Sequence, residues 1–143
     1  MAIKQLSIFV ENREGTLVKV TDAIAKADVD IRAMSVADTN DFGIFRLIVT
    51  DYDKAKKALE EADCFVSLTE VVGVAVEDEP GALAKVVKIL ADNNINIEYM
   101  YAFITVSRKY AYVVLRVADN AAAEKILADN GIALVNPDDI AGM

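Results

Sequence analysis

Val10-Glu11-Asn12-Arg13-Glu14-Gly15-Thr16-Leu17-Val18-Lys19-Val20 returns as Val76-Glu77-Asp78-Glu79-Pro80-Gly81-Ala82-Leu83-Ala84-Lys85-Val86. The same shift aligns Ala25 with Ala91, Ile31 with Ile97 and Met34 with Met100, so the repetition runs well beyond one loop. Internal repetition on this scale sets domain count and topology before any residue-level reading. Two domains are expected, residues 1–70 and 71–143, meeting near Glu70-Val71 with essentially no linker. Units of that size are marginal alone and should lean on each other.

Periodicity supplies the elements. Leu6, Ile8 and Val10 alternate with Gln5, Ser7 and Phe9 as a strand; beyond Gly15, Leu17, Val20 and Ile24 recur at helical spacing. Ala27-Asp28-Val29-Asp30 ends that helix, Ile31 to Ala37 reads as extended, Thr39-Asn40-Asp41 turns, and Phe45, Leu47 and Val49 alternate as a further strand. Asp51 or Asp53 can cap a helix over Tyr52–Ala62, with Ala55, Ala58, Leu59 and Ala62 as its apolar stripe, and Phe65 to Val71 closes the unit as a strand. The second copy predicts Val72–Glu77, Gly81–Asn93, Ile97–Val106, Ala111–Val117, Asn120–Asn130 and Ile132–Val135; its hairpin turn is two residues longer, since Asp51 aligns with Asp119. Each copy is βαββαβ, an α+β, ferredoxin-like order with an antiparallel sheet and both helices on one face.

The strand predicted at Ile97–Val106 is apolar on both parities: Ile97, Tyr99, Tyr101 and Phe103 on one, Met100, Ala102, Ile104 and Val106 on the other. With 55% hydrophobic residues in 143, the excess apolar surface points to a subunit interface, and a homodimer is expected. A net charge of −8 repels a polyphosphate backbone and an anionic lipid surface, so neither nucleic acid nor a membrane is the expected partner. No apolar run approaches the roughly 20 residues of a membrane span. One cysteine, Cys64, and no signal-like N-terminus suit a reducing cytoplasm.

Enzyme readings fare poorly. The chain has no histidine, the commonest general base near neutral pH, and Cys64 has no imidazole to activate it, so it reads as a half-buried loop cysteine. Arg13 in a glycine turn would suit phosphate, but acidic neighbours surround it and its counterpart is Glu79. Copper-carrying and iron–sulfur proteins need several cysteines. Glu77, Asp78 and Glu79 are consecutive and cannot all point at one hard metal ion. No catalytic residue, metal site or cofactor is expected.

The repeated strand-to-helix turn is where chemistry concentrates. Glycine removes the side chain where backbone must approach something closely, Pro80 at a first helical position wastes no N–H, and first-turn amides attract an anion such as a carboxylate. Both turns are followed at a fixed distance by Ile31 and Ile97.

These strings carry a resemblance. Glu11-Asn12-Arg13-Glu14-Gly15-Thr16-Leu17 followed by Val29-Asp30-Ile31, and Glu77-Asp78-Glu79-Pro80-Gly81-Ala82-Leu83 followed by Ile95-Asn96-Ile97, resemble the ACT domain pattern of strand, N-x-P-G-x-L, helix, G-I/V-N-I. The resemblance spans the chain twice. It implies a regulatory module that binds a free amino acid between paired copies, without catalysis, and that reports to a metabolic enzyme. The family's asparagine before the glycine falls on Asn12 and Asp78, and that before the second strand on Asp30 and Asn96; the departures are Asp78, Asp30 and Glu14, the last where proline is usual. Because the family's ligand takes the turn from one copy and the second-strand residue from its neighbour, the pairings implied are Asn12 with Asn96 and Asp78 with Asp30. An amide pair both donates to a carboxylate and accepts from an ammonium, whereas two carboxylates only accept. One strong site per chain is therefore expected, from the turn Asn12–Leu17 with Asn96 and Ile97. The site from Asp78, Glu79, Pro80, Gly81, Ala82 and Leu83 with Asp30 and Ile31 should be weak or empty. The alternative of a different class is a structural subunit that docks on an enzyme through its apolar strand and binds no ligand.

Overall fold

The computed structural model describes residues 2–38, 41–104 and 109–143. Its chain divides into two compact units, Lys4–Thr69 and Glu70–Ala141, the second together with Ile3. The predicted turn at Thr39-Asn40 and the last residues of the predicted Ile97–Val106 strand lie outside the described residues.

The first unit is built from β1 (Ile3–Glu11), α1 (Thr16–Lys26), β2 (Ile31–Asp38), β3 (Phe42–Val49), α2 (Tyr52–Glu61) and the opening of β4 (Phe65–Glu77). Sheet order is β2-β3-β1-β4, with β3 antiparallel to both β1 and β2. Register sets Leu6 opposite Leu47 and Ile8 opposite Phe45, so the period-2 apolar sets of two strands share one face. Val20 and Ile24 of α1 and Ala55 and Leu59 of α2 close over that face, each pair four residues apart on its helix. α2 begins where Asp51 caps it, its carboxylate accepting from the Lys54 amide at 3.1 Å.

Two residues of this unit depart from what periodicity alone would give. Leu17, spaced to join Val20, stays 42% exposed, because it sits one turn before the first helical residue that meets the sheet. Gln5, which alternates with the apolar set, is fully buried, and its amide donates to the Ser7 hydroxyl at 3.0 Å, which makes that burial tolerable.

The second unit repeats the order with the rest of β4, α3 (Ala82–Asp92), β5 (Tyr99–Ala102), β6 (Tyr110–Arg116), α4 (Asn120–Asp129) and β7 (Ala133–Val135). β4 pairs antiparallel with β6 and β7, and β5 with β6. Val72, Val74 and Val76 meet Val86 and Leu90 of α3 and Ala123 and Leu127 of α4 in its core. Both repeats are thus βαββαβ, with an antiparallel sheet and helices on one face.

The strands predicted separately at Phe65–Val71 and Val72–Glu77 are one strand, β4. β5 is shorter than predicted: Ile97 precedes it, packed on the α3–α4 core. Tyr99 and Tyr101 are half-buried and Phe103 is buried edge-on to Tyr112, while Met100 and Ile104 stay exposed. A further helix, α5 (Pro137–Ala141), was not anticipated. Proline stands at its first position, the Asp139 carboxylate accepts from the Asn136 amide at 2.8 Å, and Ile140 is buried. No helix among the described residues is long and apolar enough to cross a membrane.

Candidate ligand-binding site

The two glycine turns have the same backbone. Gly15 and Gly81 sit at φ 85 and 87, in the left-handed region that glycine alone enters without strain, and a Cβ on either would meet nothing within 4 Å. The Arg13 amide donates to the Glu11 carbonyl and the Glu79 amide to the Glu77 carbonyl, both at 2.9 Å; the Asn12 and Asp78 amides donate across to Asp41 and Lys109, both at 3.1 Å. Neither α1 nor α3 has a side-chain cap at its N-terminus. First-turn amides of both helices therefore lack a side-chain acceptor, although the Ala82 amide donates to the Glu79 carbonyl at 3.3 Å. An uncapped helix start beside a glycine is suited to a carboxylate.

Side chains separate what the backbone equates. The Arg13 Nε lies 2.8 Å from the Glu11 carboxylate. At the matching place Glu79 faces Glu77, and the hydrogen bond between their carboxyl groups, reinforced by like charge, holds Glu79 above the ordinary carboxylate range. Thr16 donates to the carbonyls of Glu11 and Arg13, at 2.8 and 2.9 Å, bracing the first turn where the second has Ala82.

Beside the first turn lies a hollow of about 540 Å³, within the range of small-molecule sites. Three phenylalanines line it: Phe9 on β1, Phe42 at the start of β3 and Phe65 at the start of β4. Glu11 opposes Phe42 and Phe9 opposes Ile44 in the β1–β3 register, which brings both rings to the same end of the same sheet face. Asp63, at φ 61, turns the chain out of α2, and the Cys64 amide returns to the Leu59 carbonyl at 2.9 Å, delivering Cys64 and Phe65 to the rim. Arg13, Thr16 and Lys19 complete the wall nearest the turn. Of these residues the sequence places only Arg13 and Thr16 at a ligand site, and it reads Cys64 as a loop cysteine. The signal for the rest was a mismatch between repeats: Phe9, Phe42 and Phe65 correspond to Ala75, Tyr110 and Ala133.

Within a repeat, the turn and the second-strand residue lie apart. The Asn12 amide bonds to Asp41, just before β3, whereas the Thr50 amide, just after it, bonds to the Asp30 carbonyl at 3.0 Å. The length of β3 separates them, about 25 Å at the rise of an extended strand. Asp30 also holds Arg32, whose Nη1 lies 3.2 Å from its carboxylate, and Ile31 packs against the first core. In the second unit Asp78 bonds beside the start of β6, while Glu98, two residues past Asn96, bonds to Arg116 at its end. Neither unit brings its own turn to its own Asp30 or Asn96. Glu14, Leu17, Pro80 and Leu83 are exposed around the turns.

A family model described as an ACT domain pair matches residues 1–143. The crystal structure of a Bacteroides thetaiotaomicron protein is 39% identical, covering 100% of this chain and 98% of that one, with a TM-score of 0.93. The regulatory subunit of aspartate kinase from Thermus thermophilus, ligand-free, shares the fold at 18% identity and TM-score 0.61, over 88% of this chain and 91% of its own. Aspartate kinase from Synechocystis does so at 23% identity and TM-score 0.60, over 94% of this chain and 26% of its own. No curated protein matches the chain.

Proposed function

Since the chain belongs to the ACT domain pair family, we propose that it is a non-catalytic regulatory protein that binds a free amino acid at a seam between ACT repeats and reports that binding to a metabolic enzyme. The observation that carries the reading is the twinned turn: Gly15 and Gly81, both left-handed, each open a helix whose first amides have no side-chain cap. An amino acid's carboxylate is the natural complement of such an end. Asn12 and the rest of the first turn, with Asn96, form the proposed strong site. The turn at Asp78 to Leu83, where Glu77 and Glu79 crowd each other, forms with Asp30 the weak one. That the same fold serves as the regulatory subunit of an aspartate kinase is consistent with this role.

A homodimer in the cytoplasm is part of the proposal. Met34 and Val36 on β2, and Met100 and Ile104 on and just after β5, are exposed apolar residues, with Met34 and Met100 at matching positions of the repeats. Such surface suits a second copy or an enzyme partner.

Melting curves with each of the twenty amino acids test the reading. At a ligand concentration about a hundred times the dissociation constant, linkage adds roughly 2.7 kcal/mol to unfolding, a clear rise in Tm. If none of the twenty moves the curve, the sensor function falls and the ligand-free docking subunit takes its place.

A further inference from the structure

Phe9, Phe42 and Phe65 are 61%, 55% and 83% exposed, and all three line one hollow. Single exposed apolar residues are ordinary on a protein surface, but three large rings from three strands around one cavity are a concentrated apolar surface with a defined volume. We infer that this hollow takes the side chain of an aromatic zwitterion, an amino acid with an aryl side chain, whose charged head rests at the first turn. The inference rests on the amino-acid-binding reading and specifies its ligand class.

Shape argues for the aryl group. Rings pack offset or edge-on at centroid separations of about 4.5–7 Å, and three rings around one space offer several such contacts to a fourth. Charge argues for the zwitterionic head. Arg13 and Lys19 bring two positive charges to the wall, Glu11 and Asp63 two negative ones. A head bearing both signs finds partners for each, whereas a pure anion meets two carboxylates on a chain of net charge −8. The second repeat cannot build the same place. Ala75 and Ala133 replace two of the rings and Glu79 replaces Arg13, so the aromatic site occurs once per chain.

Titration calorimetry of the full chain with L-phenylalanine, L-alanine and 3-phenylpropanoate as probes tests this, with the reaction of Cys64, the only thiol, as a second readout at the hollow itself. Phenylalanine should bind once per chain, at least about tenfold tighter than either other probe, and should slow thiol labelling of Cys64. Phe9→Ala and Phe65→Ala, both at exposed positions, should raise the Kd for phenylalanine about tenfold in protein that still melts cooperatively. Alanine binding as tightly as phenylalanine would overturn the aryl class, and phenylpropanoate binding as tightly would overturn the zwitterionic head. Suppose an amino acid raises Tm, yet its affinity is unchanged in both variants and Cys64 is unprotected. The hollow is then not its site, although the sensor reading stands. If no amino acid binds at all, both readings fall together.

Discussion

Arg13 reaches back to Glu11 with its Nε 2.8 Å from the carboxylate, and this pair sits on a turn whose backbone matches one where Glu79 faces Glu77. Both partners are well exposed, so the pair contributes at most about 1 kcal/mol to stability. Its importance is to the local field: the first turn carries an ion pair beside a helix start with no side-chain cap, the second a crowded pair of carboxylates. Arg13→Glu should therefore weaken amino-acid binding about tenfold or more while changing stability by less than about 1 kcal/mol, by titration and melting respectively.

Glu79 offers a prediction with a defined sign. Glu77 raises the folded-state pKa of Glu79 above its ordinary 4.5, so the folded protein holds that proton more tightly than the unfolded chain. The resulting stabilisation is complete below the ordinary value and is lost as pH rises through the raised one, leaving like-charge repulsion at neutrality. Glu79→Gln should thus raise Tm relative to the parent more at neutral pH than at about pH 4, and added salt should shrink the difference because both groups are exposed. An equal Tm difference at both pH values would show that the two carboxyl groups do not share a proton in solution.

Much of this fold is legible because its periods are clean. Leu6, Ile8 and Val10 against Val20 and Ile24 give strand and helix without ambiguity, and the repeat places both glycine turns. What periodicity cannot give is where an element ends relative to its neighbour, which is why Leu17 has the right spacing and the wrong environment. The buried amide of Gln5 depends on Ser7, and α5 on a short capping interaction of Asn136 with Asp139, both too local to register as a pattern. The hollow was hidden for a different reason. Phe9, Phe42 and Phe65 lie on three separate strands, and only β-sheet register brings their ends together.

Gly15 and Gly81 can be compared with a third left-handed glycine, Gly131 at φ 77, which follows α4 in the second repeat and opens no helix. A Cβ meets no atom within 4 Å at any of the three, so valine at each carries mainly the conformational penalty, about 1–2 kcal/mol. Gly15→Val should abolish binding at the proposed strong site. Gly131→Val should lose comparable stability with affinity unchanged. Equal affinity in the two variants would reduce Gly15 to a structural role.

Gly73 is constrained by packing instead. A Cβ there would lie 2.5 Å from the Cδ1 of Ile3 and 3.0 Å from the Cβ of Val135, its partner on β7. Gly73→Ala should destabilise by about 1–3 kcal/mol, as overpacked cores do. Ile3→Val removes the offending methyl and should restore part of that loss in the double variant, giving a coupling that denaturant melts of all four proteins would measure.

The separation of Asn12 from Asp30 along the length of β3 decides how the proposed amino-acid site can be assembled. No small zwitterion spans about 25 Å, so a ligand held by the first turn cannot also touch Asp30 of the same repeat. The second-strand residue of the proposed site is Asn96, whose amide, like that of Asn12, can donate to a carboxylate and accept from an ammonium. Asp30, with Arg32 at 3.2 Å and its carbonyl bonded to Thr50, has structural partners already. Asn12→Ala and Asn96→Ala should each weaken binding about tenfold. Asp30→Ala should lower Tm and leave affinity within about twofold, because it disturbs the half-exposed pair with Arg32 and not the ligand. Calorimetry decides. Two equivalent ligands per chain would contradict the unequal turns, and loss of binding from Asp30→Ala alone would contradict the pairing of Asn12 with Asn96.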